Sequence, residues 1–344
     1  MTSNIHDIAR LAGVSPATVS LALNGRKGVS EKTKLRVLEI AQQLDYVPNV
    51  MAQGLQRGRT NNILVLMSGP QYDYFNSPFY FETLKHFAKG ISNTPFQMVL
   101  HITTAEEELK HLKMLVSRKG FDGMVMMGLR MPQEEAMAII GSIPSVFVNR
   151  PNVKEAYSVN ANYANAMYLV TKHLLELGHR DIAFFGYVPK LPPSENRLIG
   201  FRKAYEEYGL EVKAEQLIYA DYYQESGYLA MRKWLQSGLA LPQAIIGGND
   251  LIALGILEAL YDGGVSVPED VSLAGIDNLS NTHLLKVPLT TVHIRNDLIG
   301  METSAKIIRL LQDEEVERET WIDVQLIKRA STAQRSADIV AGSS

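Results

Sequence analysis

The chain has 344 residues and not one cysteine. A disulfide framework, a thiolate nucleophile and a cysteine-based metal site are excluded. No apolar run approaches the roughly 18 residues that a membrane span needs. The first residues, MTSNIHDIARLAG, hold Asp7 and no apolar core. They do not read as a secretion signal, so a cytoplasmic protein with no membrane partner is expected. No pair of histidines has metal-ligand spacing, and LMSGPQYDYF, after the first apolar run of the body, is neither GxGxxG nor a phosphate loop. A nucleophile-elbow serine motif is absent as well. No catalytic residue, cofactor or metal is expected, and the pattern argues against an enzyme.

Hydrophobic residues make up 46 %, enough for sizeable cores in two or three domains. The net charge of −3 conceals an asymmetry. Residues 1–60 carry eight Lys and Arg against four Asp and Glu, a net of +4, which leaves −7 on the remainder. A small basic head on an acidic body suits a polyanion-binding module. Charges clustered by chance on a solvated face are the alternative.

Three helices are expected in the head. The first covers Ile5 to Ala12, with Ile5, Ile8, Ala9 and Ala12 at helical spacing and Gly13 to end it. Val14 reads as a buried plug. Ser15 is suited to cap the second helix and Pro16 to open it. That helix runs to about Leu23, with Val19 and Leu23 inward, and Asn24-Gly25 breaks it. Ser30 caps a third, with Leu35, Leu38, Ala41 and Leu44 on one stripe. Small Ala9, then Gly13, then Val19 are the spacing by which two helices cross over a tight turn, as in a helix-turn-helix whose second helix enters a major groove. A generic three-helix bundle is the alternative. After Pro48, NVMAQGL spans two helical turns, marginal by length and weakened by Gly54. An exposed Leu55 on a marginal helix invites a use, and an ordinary linker is the alternative.

The stretch IHDIARLAGVSPATVSLALNGRKGVSEKTKLRVLEIAQQLDYVPNVMAQGL resembles the head of the LacI/GalR family of bacterial transcription regulators, and the likeness continues through the body. The resemblance implies an α/β protein. A three-helix helix-turn-helix head (1–47) and a hinge helix with linker (48–61) would join a periplasmic-binding-protein-like body of parallel sheets (62–330). The body would divide into one subdomain of about 62–160 and 291–320 and a second of about 161–290 and 321–330, with a polar tail at 331–344. It implies DNA contacts from Ser15, Pro16, Ala17, Thr18, Ser20, Leu21 and Asn24 in the head, and from Asn49, Ala52 and Leu55 in the hinge. Leu55 matches the leucine that wedges into the minor groove. Leu21 stands where the family often has arginine, so no guanine-reading fork is present there. Pro16, Ala17 and Leu21 suit thymine methyls; Thr18, Ser20 and Asn24 suit phosphates.

In the body, short apolar runs alternate with amphipathic stretches, first from NILVLM to SVFV and again after Ala161, which predicts two parallel sheets covered by helices. WIDVQLI reads as the last strand, and EEE at 106–108 as a solvated face. The resemblance places an effector cleft at the carboxyl ends of the strands. Asn149, Arg197 at a helix start, Tyr222, Asn249 and Asp277 are the candidates, with Tyr74 and Phe79 on the first-subdomain wall. Aromatic faces with several hydrogen-bonding groups suit a hydroxyl-rich ring. Structural readings stand beside these: Asp250 as a helix cap, Asn278 as turn chemistry, the aromatics near Phe79 as core. The implied partners are pseudo-palindromic operator DNA, a small effector that in the family is usually a sugar and sometimes a purine, and a second copy of the chain. The tail lacks the heptad leucines of a tetramer.

Overall fold

The computed structural model describes residues 4–23, 27–44, 46, 59–69, 78–151, 155–188 and 192–335. The chain divides into two compact units at Asn61 and Asn62.

The first unit holds α1 (Ile5–Ala12), α2 (Pro16–Leu23) and α3 (Glu31–Gln43). Asn4 caps α1: its side chain accepts the N–H of His6 and of Asp7, while Asp7 accepts the N–H of Asn4. That reciprocal pairing satisfies donors with no intrahelical partner. Gly13 turns the chain at φ +67°, where a Cβ is disfavoured. Ser15 Oγ accepts the N–H of Thr18, and Ser30 Oγ that of Thr33. Ile8, Ala9, Ala12, Val19, Ala22, Val37 and Ala41 form the core. Two expectations shift. The buried stripe of α3 runs through Val37 and Ala41, and Leu35 and Leu38 are 58 % and 42 % exposed. In α2, Ala22 is buried and Leu23 half-buried. So short a helix presents only one turn of its face to its neighbours, and the smaller side chain takes the closest approach.

The second unit begins with β1 (Asn62–Gly69), α4 (Pro78–Ile91), β2 (Gln97–Thr104), α5 (Glu108–Arg118), β3 (Gly123–Met127), α6 (Gln133–Ile140), β4 (Ser145–Val148) and β5 (Tyr157–Ala161). These strands, with β11 (Glu319–Ile322), make a six-stranded parallel sheet in the order β11-β5-β4-β3-β1-β2. Alternate residues of β1 face opposite sides. Ile63, Val65 and Met67 meet Leu84, Phe87 and Ile91 of α4, whereas Leu64 and Leu66 meet Leu112 of α5 and Ala136 and Ile140 of α6. Both faces are covered, so the strand is apolar throughout.

A second set follows: α7 (Tyr163–Glu176), β6 (Ile182–Phe185), α8 (Pro192–Glu207), β7 (Leu217–Ile218), α9 (Gln224–Gln236), β8 (Ala244–Gly247), α10 (Asp250–Asp262) and β9 (Ser272–Ala274). Its sheet is parallel, in the order β7-β6-β8-β9. Helices α9 and α10 approach so closely that a Cβ at Gly255 would strike the Gln224 carbonyl.

The chain then crosses between the sheets. β10 (Thr291–Ile294) leads to α11 (Asn296–Leu311), which packs on α4: a Cβ at Gly300 would meet the backbone of Thr83 and Phe87. β11 joins the first sheet, and β12 (Val324–Ile327) returns to pair antiparallel with β10. WIDVQLI is thus divided at Asp323 between two strands of different sheets. The tail is held from its start. Ser331 Oγ donates to the Leu273 carbonyl and accepts the Thr290 N–H, and the Arg335 N–H reaches Leu177 O.

Candidate functional site

Four side chains from separate elements of the second sheet's half converge. Tyr163 opens α7, where Asn162 caps the helix. Arg197 sits in the second turn of α8, not at its start as expected. Tyr222 follows β7, and Asp277 lies in the turn after β9. Arg197 is 3 % exposed. Its guanidinium carbon stands 4.2 Å from the centre of the Tyr163 ring and 5.5 Å from that of Tyr222. A cation over an aromatic face is attracted by the ring quadrupole, most strongly where water is excluded. Burial pushes the Tyr163 phenol up, and the Asp277 charge adds to the shift. Burial also pushes Tyr222 up, against the pull of Arg197. The Tyr222 Oη is buried with no hydrogen-bond partner among the described residues. A polar atom left so costs about 1–3 kcal/mol, which a hydroxylated ligand would recover.

Asp277 is held in an uncommon backbone. Its φ is +120° and that of Asn278 is +57°, two consecutive left-handed residues that are not glycine. Each costs on the order of 1 kcal/mol, so the surroundings must enforce them. Asp250, fully buried at the start of α10, does so. Its Oδ2 accepts the Leu279 N–H at 2.8 Å and its Oδ1 accepts the Thr291 hydroxyl at 2.6 Å. Asn278 Oδ1 accepts from Arg329 at 2.6 Å, and Asn278 N–H donates to Thr291 Oγ1. Burial pushes the Asp277 carboxyl up to about 7, with Arg197 opposing. It pushes Asp250 up to about 8, the charge of Asp277 adding to the effect.

The facing loop comes from the first sheet. Glu108, at the start of α5, is 1 % exposed. It accepts the N–H of Arg130 at 2.9 and 3.0 Å, that of Met131 at 2.7 Å, and the Ser68 hydroxyl. Arg150 grips the same loop through the carbonyls of Leu129 and Met131 at 2.8 and 2.7 Å. The reading of EEE as a solvated face is therefore corrected for Glu108: it is an internal acceptor, because a loop turning inward leaves N–H groups that need one. A Cβ at Gly128 would collide with the Ser68 carbonyl and the Tyr80 hydroxyl, which places Tyr80 on this loop. Phe79 stacks edge-on to Tyr80 at 5.3 Å and is half-buried. The charges of Arg197 and, more weakly, Arg130 are felt at Tyr222, so the two walls face one space.

Two candidate side chains are occupied elsewhere. Asn249 caps α10: its Oδ1 accepts the Ile252 N–H at 2.8 Å and its Nδ2 donates to the Tyr222 carbonyl at 3.1 Å. It steadies Tyr222. Asn149, at φ +56°, accepts the Ala161 N–H on Oδ1 at 2.8 Å and ties β4 to β5. Tyr74 lies outside the described residues. In the head, Ser15, Pro16 and Ala17 are exposed at the start of α2, and Thr18, Ser20 and Leu21 are half-buried. One methyl of Leu21 lies toward Gly28, 4.0 Å from where a Cβ there would stand. Asn24, Asn49, Ala52 and Leu55 lie outside the described residues. Sequence reasoning missed Tyr80, Arg130 and Tyr163. Tyr163 had a usable signal, a tyrosine directly after the capping Asn162 of a helix that follows a strand.

Residues 4–49 match the family model described as bacterial regulatory proteins, lacI family, and residues 171–332 match the periplasmic binding protein-like domain. The HTH-type transcriptional repressor PurR of Glaesserella parasuis is 31 % identical over 315 residues, covering 90 % of each chain. Among solved structures, the transcriptional regulator CelR in complex with cellobiose is 28 % identical, with a TM-score of 0.73 over 96 % of this chain and 99 % of that one. The lac repressor dimer bound to operator and the anti-inducer ONPF is 24 % identical and shares the fold, at a TM-score of 0.85 over 97 % and 100 %. With that identity to a repressor over nine-tenths of its length and both of its units matched, the chain belongs to the lacI family of bacterial regulatory proteins.

Proposed function

We infer that the protein is a transcriptional repressor whose hold on operator DNA is set by a small molecule in the space bounded by Arg197, Tyr222 and Asp277. The observation that carries this reading is the buried guanidinium on two tyrosine rings, beside a carboxyl and an unsatisfied hydroxyl. A donor fork, an acceptor and aromatic faces together match a ring bearing several hydroxyls. The proposed effector is a sugar or sugar derivative. The solved CelR relative carries cellobiose, which supports that choice. Two heads from a homodimer would read a two-fold symmetric site, with Ser15, Pro16 and Ala17 at the groove. Effector binding to one arrangement of the body better than the other shifts the population that can bind DNA. The expected sign is induction, that is, release from DNA.

Binding-site selection from a random duplex pool tests the first half, and titration of the selected duplex complex with sugars and sugar derivatives tests the second. The expected outcome is a two-fold symmetric site from which at least one compound releases the protein. An unselected pool, or a complex indifferent to every compound, contradicts the reading.

A further inference from the structure

The loop at 128–131 is over-determined for a connection between a strand and a helix. Glu108 takes the N–H groups of Arg130 and Met131, Arg150 takes the carbonyls of Leu129 and Met131, and Gly128 is wedged between Ser68 and Tyr80. All of this fixes the backbone of Arg130, while its side chain is exposed and forms no ion pair within 4.0 Å of a described residue. A rigid backbone under an unpaired guanidinium is an arrangement suited to presenting a fork to something outside the fold.

The space it faces holds few committed negative charges. Asp221 accepts the Tyr222 N–H on one carboxylate oxygen at 2.9 Å. Burial pushes the Asp277 carboxyl up to about 7 against the charge of Arg197 beside it. At position 149 the side chain is an uncharged amide whose oxygen is spent on Ala161. Glu106, whose carboxyl is lowered chiefly by hydrogen bonds and, more weakly, by the charge of Arg130, is on the solvent surface and forms no ion pair with it within 4.0 Å. Two guanidiniums thus stand against two carboxyls of the second sheet's half, Asp221, which is tied to the Tyr222 N–H, and Asp277, which burial raises.

We propose that Arg130 is an effector contact and that the effector is a sugar carrying a carboxylate or phosphate, its ring against Arg197, Tyr222 and Asp277 and its anionic group on Arg130. This rests on reading that space as the effector site. An Arg fork binds a carboxylate or phosphate through two parallel hydrogen bonds, which a neutral hydroxyl cannot match. The anion also explains why a loop of the first sheet is stiffened opposite a site built by the second: it spans the two walls, so its binding depends on their separation.

The test uses the full chain and matched pairs: glucose and glucose 6-phosphate, ribose and ribose 5-phosphate, galactose and galacturonate. Thermal shift finds the pairs that bind, and calorimetry on wild type, Arg130→Gln and Arg130→Lys measures them. In at least one pair the anionic member binds wild type more tightly, by about tenfold. Arg130→Gln removes that preference while leaving the neutral member and the unliganded melting temperature unchanged, and Arg130→Lys keeps part of it. Neutral members that bind as well as anionic ones, or a preference that survives Arg130→Gln, overturn the proposal and leave the sugar-controlled repressor standing. If no member of any pair stabilises wild type, the sugar reading of the space falls together with it.

Discussion

The loop at 128–131 and the turn at 275–279 are built alike in the two halves of the body. Each is pinned by a buried acid at the first residue of a helix that follows a strand, Glu108 in α5 and Asp250 in α10. Each acid accepts a hydroxyl, from Ser68 or Thr291, and backbone N–H groups of the neighbouring connection. Each connection then offers one charged side chain to the space between, Arg130 or Asp277. The difference lies in the number of donors. Glu108 has the N–H groups of two residues on its carboxylate, whereas Asp250 has one, and burial, with the charge of Asp277 adding to it, pushes Asp250 up to about 8. One acid is held by three donors; the other is pushed by burial toward its neutral form. The same architectural device therefore yields a stiff cationic loop and a turn whose anchor responds to its charge.

The largest loss is expected at Glu108. Glu108→Gln turns one acceptor into a donor facing N–H groups, and unfolding by urea should show a loss of about 2–3 kcal/mol. Burial already favours the neutral acid at Asp250, so Asp250→Asn should cost less, about 1 kcal/mol. If the two substitutions cost the same, the two anchors are equivalent and the distinction is wrong.

The turn at 275–279 should also make stability depend on pH. Asp250 is raised above its ordinary value of 3.8, so the folded state binds its proton more tightly than the unfolded chain. The associated stability is complete below about pH 4 and disappears as pH rises toward 8, and Asp277 acts in the same sense up to about 7. Between about pH 5.5 and about pH 8.5 the unfolding free energy should fall by on the order of 1–3 kcal/mol from these groups, and Asp250→Asn should flatten the profile. A profile identical to wild type would contradict the assignment. The smallest effect is expected at Asn149. Asn149→Asp keeps the oxygen that accepts from Ala161, so stability should stay within about 0.5 kcal/mol of wild type.

The repeating strand and helix pattern of the body was legible because both faces of each sheet are covered and the strands read as apolar runs. The division of WIDVQLI between two sheets was not, since an aspartate between two short apolar runs carries no signal of a change of partner. Arg197, Tyr222 and Asp277, proposed as effector contacts, were named from the family resemblance and their places after strands and in a helix, and the structure brings them together. Asn249 was placed in the right turn, and the structure adds a capping role that the sequence reading did not give it. Its side chain is consumed by Ile252 and Tyr222, and hydrogen-bond demand from a neighbouring backbone cannot be read locally. Glu108 and Arg130 were missed for the same reason, because their meaning comes from a contact 22 residues apart.

Coupling of a ligand to the hold on DNA through Arg197 is tested most directly by anisotropy of the selected duplex. The duplex is titrated with wild type and with Arg197→Ala, in the absence and presence of the stabilising sugar derivative. Wild type should lose about tenfold or more in DNA affinity with the ligand, within the usual range of a coupling between two sites. Arg197→Ala should bind the duplex within about threefold of wild type when no ligand is present and should not respond to ligand. A variant that releases DNA at the wild-type ligand concentration would contradict the account, because the buried guanidinium would then have no part in sensing the effector.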